Sequence, residues 1–176
     1  MGRRLSTSGV FGLILGVLTL VWSGCVGYRL GPTNGMAAGE KSIRVNPFQN
    51  ETTEPRLIEP VVAALRKSLQ QDGTFRLNTR GESDIIVSGV LLRYEREGVS
   101  FQPNDILTAR DFSVRLAARV TAVERTSGKT LLQREVLGRT TLRAGADLAS
   151  AERQAVTLLA DDLARNVTSL LVDGQW

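Results

Sequence analysis

FSVRLAARVTAVERTSGKTLLQREVLGRTTL, residues 112–142, reads as a strand, a turn and a returning strand. Phe112, Val114, Leu116, Ala118, Val120 and Ala122 occupy alternate positions, with Ser113, Arg115, Arg119 and Thr121 between them. Strand side chains alternate between two faces, so this segment buries one face and shows the other to water. Thr126-Ser127-Gly128-Lys129 supplies turn residues, and 130–142 returns as the antiparallel partner. Placing Val136 opposite Val120 and Leu142 opposite Val114 keeps apolar against apolar, which predicts an odd-numbered loop around Gly128.

Working outward, residues 84–96 begin apolar on both faces, through Ile85, Ile86, Val87, Val90, Leu91 and Leu92. That is the pattern of a central strand. Residues 98–110 have no period and include Pro103, Asn104 and Asp105, so they are predicted to be the longest loop of the fold. Nearer the N-terminus, residues 42–46 predict a short strand with Ile43 and Val45 on one side. It ends at Pro47, which has no N–H to donate. Ile58, Val61, Val62, Leu65 and Leu69 then recur at three and four, the spacing of a helix with one buried face. Thr53 is its expected N-cap, Pro55 falls in its first turn and Gly73 is its expected stop. Residues 74–77 suit a short strand. A second helix opens at Asp147 or Ser150 and ends at Asp173-Gly174. Its apolar stripe is Ala151, Ala155, Leu158, Leu159, Leu163, Val167, Leu170 and Leu171. Two one-faced helices and a run of strands predict an α/β (α+β) two-layer sandwich. Its sheet has four to five strands, mostly antiparallel or mixed, with both helices on one face.

Ahead of this domain, Arg3 and Arg4 precede an apolar and small-residue run at 9–22, which closes on Ser23-Gly24 and then Cys25. Charge, apolar run and small residues in that order make an export signal. As a helix rising about 1.5 Å per residue the run reaches roughly 21 Å, short of the roughly 30 Å of bilayer hydrocarbon. It suits an h-region better than a membrane span. Cys25 after small residues resembles the lipobox of bacterial lipoproteins, where the signal is cut before the cysteine and the thiol carries a lipid. Trp22 stands where such boxes usually hold Leu. A lone cysteine in an exported chain has no disulfide partner, and lipidation accounts for it. The expected organisation is a signal peptide at 1–24, a lipidated Cys25 with a glycine-rich tether through 25–40, and one domain at 41–174.

The chain carries 22 Lys and Arg against 18 Asp and Glu, and no histidine. Removing Arg3 and Arg4 from those 22 leaves 20 basic residues, a balance near +2. So mild and interleaved a charge does not suit nucleic acid. Without histidine, and with the only thiol assigned to a lipid, the commonest general base, the commonest metal ligand and the best nucleophile are missing together. No catalytic residue, no metal and no cofactor beyond the lipid on Cys25 is expected. Asp161 and Asp162 are adjacent, but helix neighbours point about 100° apart and do not face one site. They read as helix surface.

The lipobox, Gly27-Tyr28-Arg29-Leu30, SIRVNPFQNETTEPRL at 42–57, SDIIVSGVLLRYERE at 83–97, VERTSGK at 123–129 and the closing AERQAVTLLADDLARNVTSLL together resemble the LptE family of lipopolysaccharide-assembly lipoproteins. The resemblance implies a non-enzymatic lipoprotein, anchored on the periplasmic side of the outer membrane. It also implies a place inside an LptD-type β-barrel, which the protein plugs and helps assemble, and contact with lipopolysaccharide. Val26, after Cys25, is not the Asp associated with inner-membrane retention, in keeping with that destination. A lipoprotein adaptor resembling CsgG or LpoB is the alternative, since such domains also begin with a VxPFxN-like strand. For lipopolysaccharide contact the candidates are Arg115 and Arg119 on the polar strand face, with Arg110 beside the predicted loop, because guanidinium forks suit phosphates.

Overall fold

The computed structural model describes residues 37–102, 105–143 and 148–174. Cys25, the signal, most of the tether and the Gly27-Tyr28 pair lie outside the described residues. Six strands and two helices follow one another as β1 (Ser42–Val45), β2 (Gln49–Asn50), α1 (Ile58–Asp72), β3 (Arg76–Leu77), β4 (Ile85–Gln102), β5 (Asp105–Glu124), β6 (Thr130–Arg143) and α2 (Leu148–Val172). They build the expected mixed α/β fold, one open sheet ordered β3-β1-β4-β5-β6 with both helices on one face. The strand beyond the expected number is β2, which pairs with β4 as β1 does and continues it after Pro47 and Phe48.

The interruption has a physical cause. Pro47 cannot donate, and the Phe48 ring turns into the core at 3% exposure. It lies against Gly89 of β4, where a Cβ would stand 2.4 Å from the ring.

The core forms between sheet and helices. β5 contributes Val114, Leu116, Ala118, Val120 and Ala122, all fully buried and all on the alternating face read from sequence. α1 contributes Val61, Val62, Leu65 and Leu69. Gly73 stops it in the left-handed region at φ 76°, its N–H donating to the Leu69 carbonyl at 3.2 Å. The two helices are joined by a hydrogen bond from Thr168 Oγ1 to Ser68 Oγ, 2.8 Å.

Several expectations are corrected. Residues 98–110 are not a long loop, because β4 runs to Gln102 and β5 starts at Asp105. Register shifts at Gly98/Ser100, Ser100/Phe101 and Phe101/Gln102 erase the period there without ending the pairing. Thr53 does not cap α1. The N-cap is Leu57, while Asn50 Oδ1 accepts from Thr52 N (3.0 Å) and Thr52 Oγ1 (2.7 Å), so these polar side chains organise the preceding turn. The β5–β6 register is displaced by two residues: Val136 faces Ala118 and Leu142 faces Phe112. The turn is even where it closes, not odd: Glu124 N–H donates to the Lys129 carbonyl around residues 125–128, Gly128 N–H donates to the Glu124 carbonyl, and Val123 pairs with Thr130. An irregularity beside Ala122 and Val123 absorbs one extra residue before the ladder settles. A shift of two preserves the face of every residue. Leu158 is half exposed at 51% and is not part of the α2 stripe, whose buried line includes Ala160 and Ala164.

The start of β1 is tied to the start of β4 by one carboxylate. Asp84 Oδ2 accepts from Ser42 Oγ at 2.7 Å and from Ser42 N at 2.8 Å. The hydroxyl bond first, and the backbone bond second, hold the Asp84 carboxyl below its ordinary pKa against the opposing effect of burial. A lowered carboxylate pKa adds stability above the unfolded value, and that stability is lost as pH falls through the folded value. Ser42→Ala should therefore raise the Asp84 pKa toward its unfolded value, lower stability at neutral pH and shrink the loss of stability on acidification. Side-chain NMR titration reads it directly, and an unmoved titration midpoint refutes the assignment.

Candidate functional site

The sheet has a second face that no helix covers. β5 presents Arg115, Ala117 and Arg119 there, odd positions opposite the buried even ones. β6 presents Glu135, Leu137 and Arg139, paired with Arg119, Ala117 and Arg115 in that order. β4 reaches this face through a bulge. Up to Leu91 its odd residues point at the helices, and Ile85, Val87 and Leu91 are buried. The register shift between Leu91 and Arg93 reverses the alternation, so that Tyr94 and Arg96 stand opposite Leu116 and Val114. Arg93, Glu95 and Glu97 consequently join the open face.

The result is a charged surface with a small apolar centre. Arg93 reaches across β5 to Glu135, N···O 2.5 Å, passing over Ala117, whose methyl leaves room for it. Arg115 Nη2 lies 3.2 Å from Glu97, and Arg93 also stands 3.9 Å from Glu95. Arg93, Glu95, Arg115, Ala117, Leu137 and Arg139 line a shallow depression of about 190 Å³. Leu137 is 40% exposed in it. Among the described residues the guanidinium groups of Arg119 and Arg139 enter no ion pair.

At the far end of this face, Asp111 joins three strands. It accepts from Ser100 Oγ at 2.5 Å and from Arg143 Nε at 2.9 Å. The Ser100 bond and then the Arg143 guanidinium hold its carboxyl below the usual range.

Of the candidates read from sequence, the structure brings Arg115 and Arg119 together on the open face. Arg110 is not with them. It lies within β5, where the register jumps between Asp111 and Ala109, and out of the alternation shared by Arg115 and Arg119. Arg93 and Arg139 were missed. The odd-numbered series Glu135, Leu137, Arg139 carried a signal for the second, whereas the bulge before Arg93 left none.

A larger groove, about 750 Å³, opens on the helix side between the start of α1 and the start of α2. Tyr94, Arg56, Arg96, Glu152 and Arg153 are among its lining residues. Arg96 is paired with Glu152 and lies 5.3 Å from the Phe112 ring centroid, which anchors it as a wall of the groove. Burial, with Glu54 adding to it, pushes the Tyr94 hydroxyl pKa up. A protonated phenol is a poor nucleophile. Among the described residues no cluster of acidic or thiol ligands could hold a metal ion, and no helix is long and apolar enough to cross a membrane.

The family model LptE, described as "Lipopolysaccharide-assembly", matches residues 40–171. No curated protein matches the chain. Among solved structures, a hypothetical protein from Chlamydia trachomatis superposes with TM-score 0.57 at 10% identity, covering 79% of this chain and 98% of its own. A Xanthomonas campestris protein of family DUF330 gives TM-score 0.57 at 8% identity, covering 84% and 92%. A minor lipoprotein from Acinetobacter baumannii gives 0.50 at 16% identity, covering 76% and 93%. At such identities the likeness is one of fold.

Proposed function

The chain belongs to the LptE family of lipopolysaccharide-assembly lipoproteins, and from that membership we propose that it works inside an LptD-type outer-membrane barrel and contacts lipopolysaccharide through its open sheet face. The family is non-enzymatic and associated with the outer membrane. In this reading the signal at 1–24 is removed, Cys25 carries the lipid that anchors the protein on the periplasmic side, and the tether to residue 40 gives the 41–174 domain its reach. No cofactor other than that lipid enters the scheme.

The observation that carries the reading is the composition of the uncovered sheet face. Ion pairs between strands, Arg115 to Glu97 and, across β5, Arg93 to Glu135, make it polar, which suits the wall of a water-lined lumen. Among the described residues Arg119 and Arg139 have no ion-pair partner, and Arg139 stands opposite Arg115. Guanidinium groups offer paired N–H donors to phosphate, which ammonium groups do not. Family membership favours this assignment over an adaptor resembling CsgG or LpoB.

Two experiments test it. Affinity purification of the membrane-extracted protein should recover an outer-membrane barrel with a periplasmic N-terminal domain; recovery of a cell-wall synthase instead would overturn the assignment. Replacing Arg115 and Arg119 with Gln should weaken binding of purified lipopolysaccharide by roughly tenfold or more. Arg110→Gln, outside their alternation, should add little, and unchanged affinity of the double variant at physiological salt sinks the contact site.

A further inference from the structure

β6 is the last strand of the sheet, and its outer edge is not left open. In an antiparallel strand alternate residues turn their N–H and C=O outward. On β6 the outward pair at the centre of the strand is the Leu137 carbonyl and the Arg139 N–H. Both are taken by side chains of α2: Asn166 Nδ2 donates to the Leu137 carbonyl at 2.8 Å, and Arg139 N donates to Asp162 Oδ2 at 2.9 Å. The other oxygen of Asp162 accepts from Arg165 at 3.0 Å, which fixes the carboxylate from behind.

Gly138 sits between the two capped groups and makes the arrangement geometrically feasible. A Cβ there would stand 2.8 Å from the Leu159 carbonyl oxygen and 2.8 Å from Leu163 Cβ. The helix backbone therefore comes closer to β6 at this residue than any side chain would allow. Leu159, Asp162, Leu163 and Asn166 are spaced three, one and three along α2, so one helical face both packs on β6 and caps its edge.

We propose that Asp162 and Asn166 form an edge lock, whose role is to keep β6 from adding a strand of a second copy of this chain. An unprotected edge is a template for pairing, and β6 has the alternating apolar pattern that such pairing needs. A β6 edge of 14 residues would otherwise be long enough to pair with its own symmetry mate. The lock occupies two consecutive rungs of the ladder at mid-strand, so an incoming strand would have to displace both bonds.

The test uses the full chain in detergent, followed by sedimentation and by amide hydrogen exchange. The unmodified chain should sediment as a monomer. Asp162→Ala with Asn166→Ala should speed exchange at the Arg139 amide and strengthen self-association by roughly tenfold or more. Adding Arg139→Pro, which removes the exposed donor, should return the double variant to a monomer. A double variant that stays monomeric with its helix content intact overturns the proposal. So does association that survives Arg139→Pro. Should the alanine pair fail to fold, Asp162→Lys with Asn166→Asp serves instead, since it sets a donor against the Arg139 N–H and an acceptor against the Leu137 carbonyl and so removes both bonds. A folded variant of this kind that stays monomeric also overturns the lock.

Discussion

Gly138→Val is expected to cost about 3 kcal/mol or more of stability, which for a domain of this size is a fall in melting temperature of roughly 6–12 °C. The added carbons would meet backbone, namely the Leu159 carbonyl oxygen at 2.8 Å and the Leu163 nitrogen at 3.0 Å from Cβ alone. A flexible side chain could swing away, but a helix backbone moves only as a unit. Moving it would open the contact of Leu159, Leu163 and Val167 with the sheet, all at most 1% exposed. The favourable β propensity of valine cannot offset this, because that preference spans only about 1 kcal/mol. Urea unfolding should show a lower midpoint, and Gly138→Ala should fall between the two. A valine variant within 1 kcal/mol of the parent would mean that α2 does not dock on β6 at this distance.

Cys25→Ser should abolish membrane attachment almost completely when the protein is produced without its barrel partner. Serine keeps the size of the side chain but cannot form the thioether through which a lipobox cysteine carries its lipid. Each buried methylene contributes about 0.8 kcal/mol to anchoring, so losing even one long acyl chain removes most of the binding. Fractionation should move the protein from the membrane pellet to the soluble fraction. The mass of the parent's mature N-terminus is the sharper reading: a chain beginning at Cys25 with added acyl mass is expected, and an unmodified thiol there would refute the anchor.

Much of the fold was legible because its longest signals are periodic. The β5 alternation from Phe112 to Ala122 is unbroken, so its buried face followed directly. Both helices were visible for the same reason, and Gly73 marked the end of α1 because a left-handed C′ position favours glycine. What escaped was everything that depends on a slip in phase. The bulge at residue 92 contains no glycine or proline, and Leu92 looks like one more apolar residue of a central strand. Residues 98–110 lost their period through successive shifts and so read as a loop. The β5–β6 register was displaced by two because apolar residues meet in either alignment, and only the turn's backbone bonds choose between them.

The surface was legible in proportion. Arg115 and Arg119 could be read as facing one way because β5 keeps its phase, whereas Arg110 lies beyond a shift and could not. Asp162 looked like solvated helix surface because its partner is a backbone N–H of β6, and a backbone donor leaves no mark in the sequence.

The bulge after Leu91 behaves like a change of reading frame in the fold. Before it, odd positions of β4 spell the core and even positions the exterior; beyond it the assignment is exchanged. Residue 92 is therefore a residue without a rung of its own, between Leu91 opposite Ala118 and Arg93 opposite Ala117. Deleting it would close the bulge and leave Arg93, Glu95 and Glu97 on the open face and Tyr94 and Arg96 on the other, because the rungs on either side are already adjacent. The strand should tolerate the loss of this one residue far better than the loss of a paired one beside it.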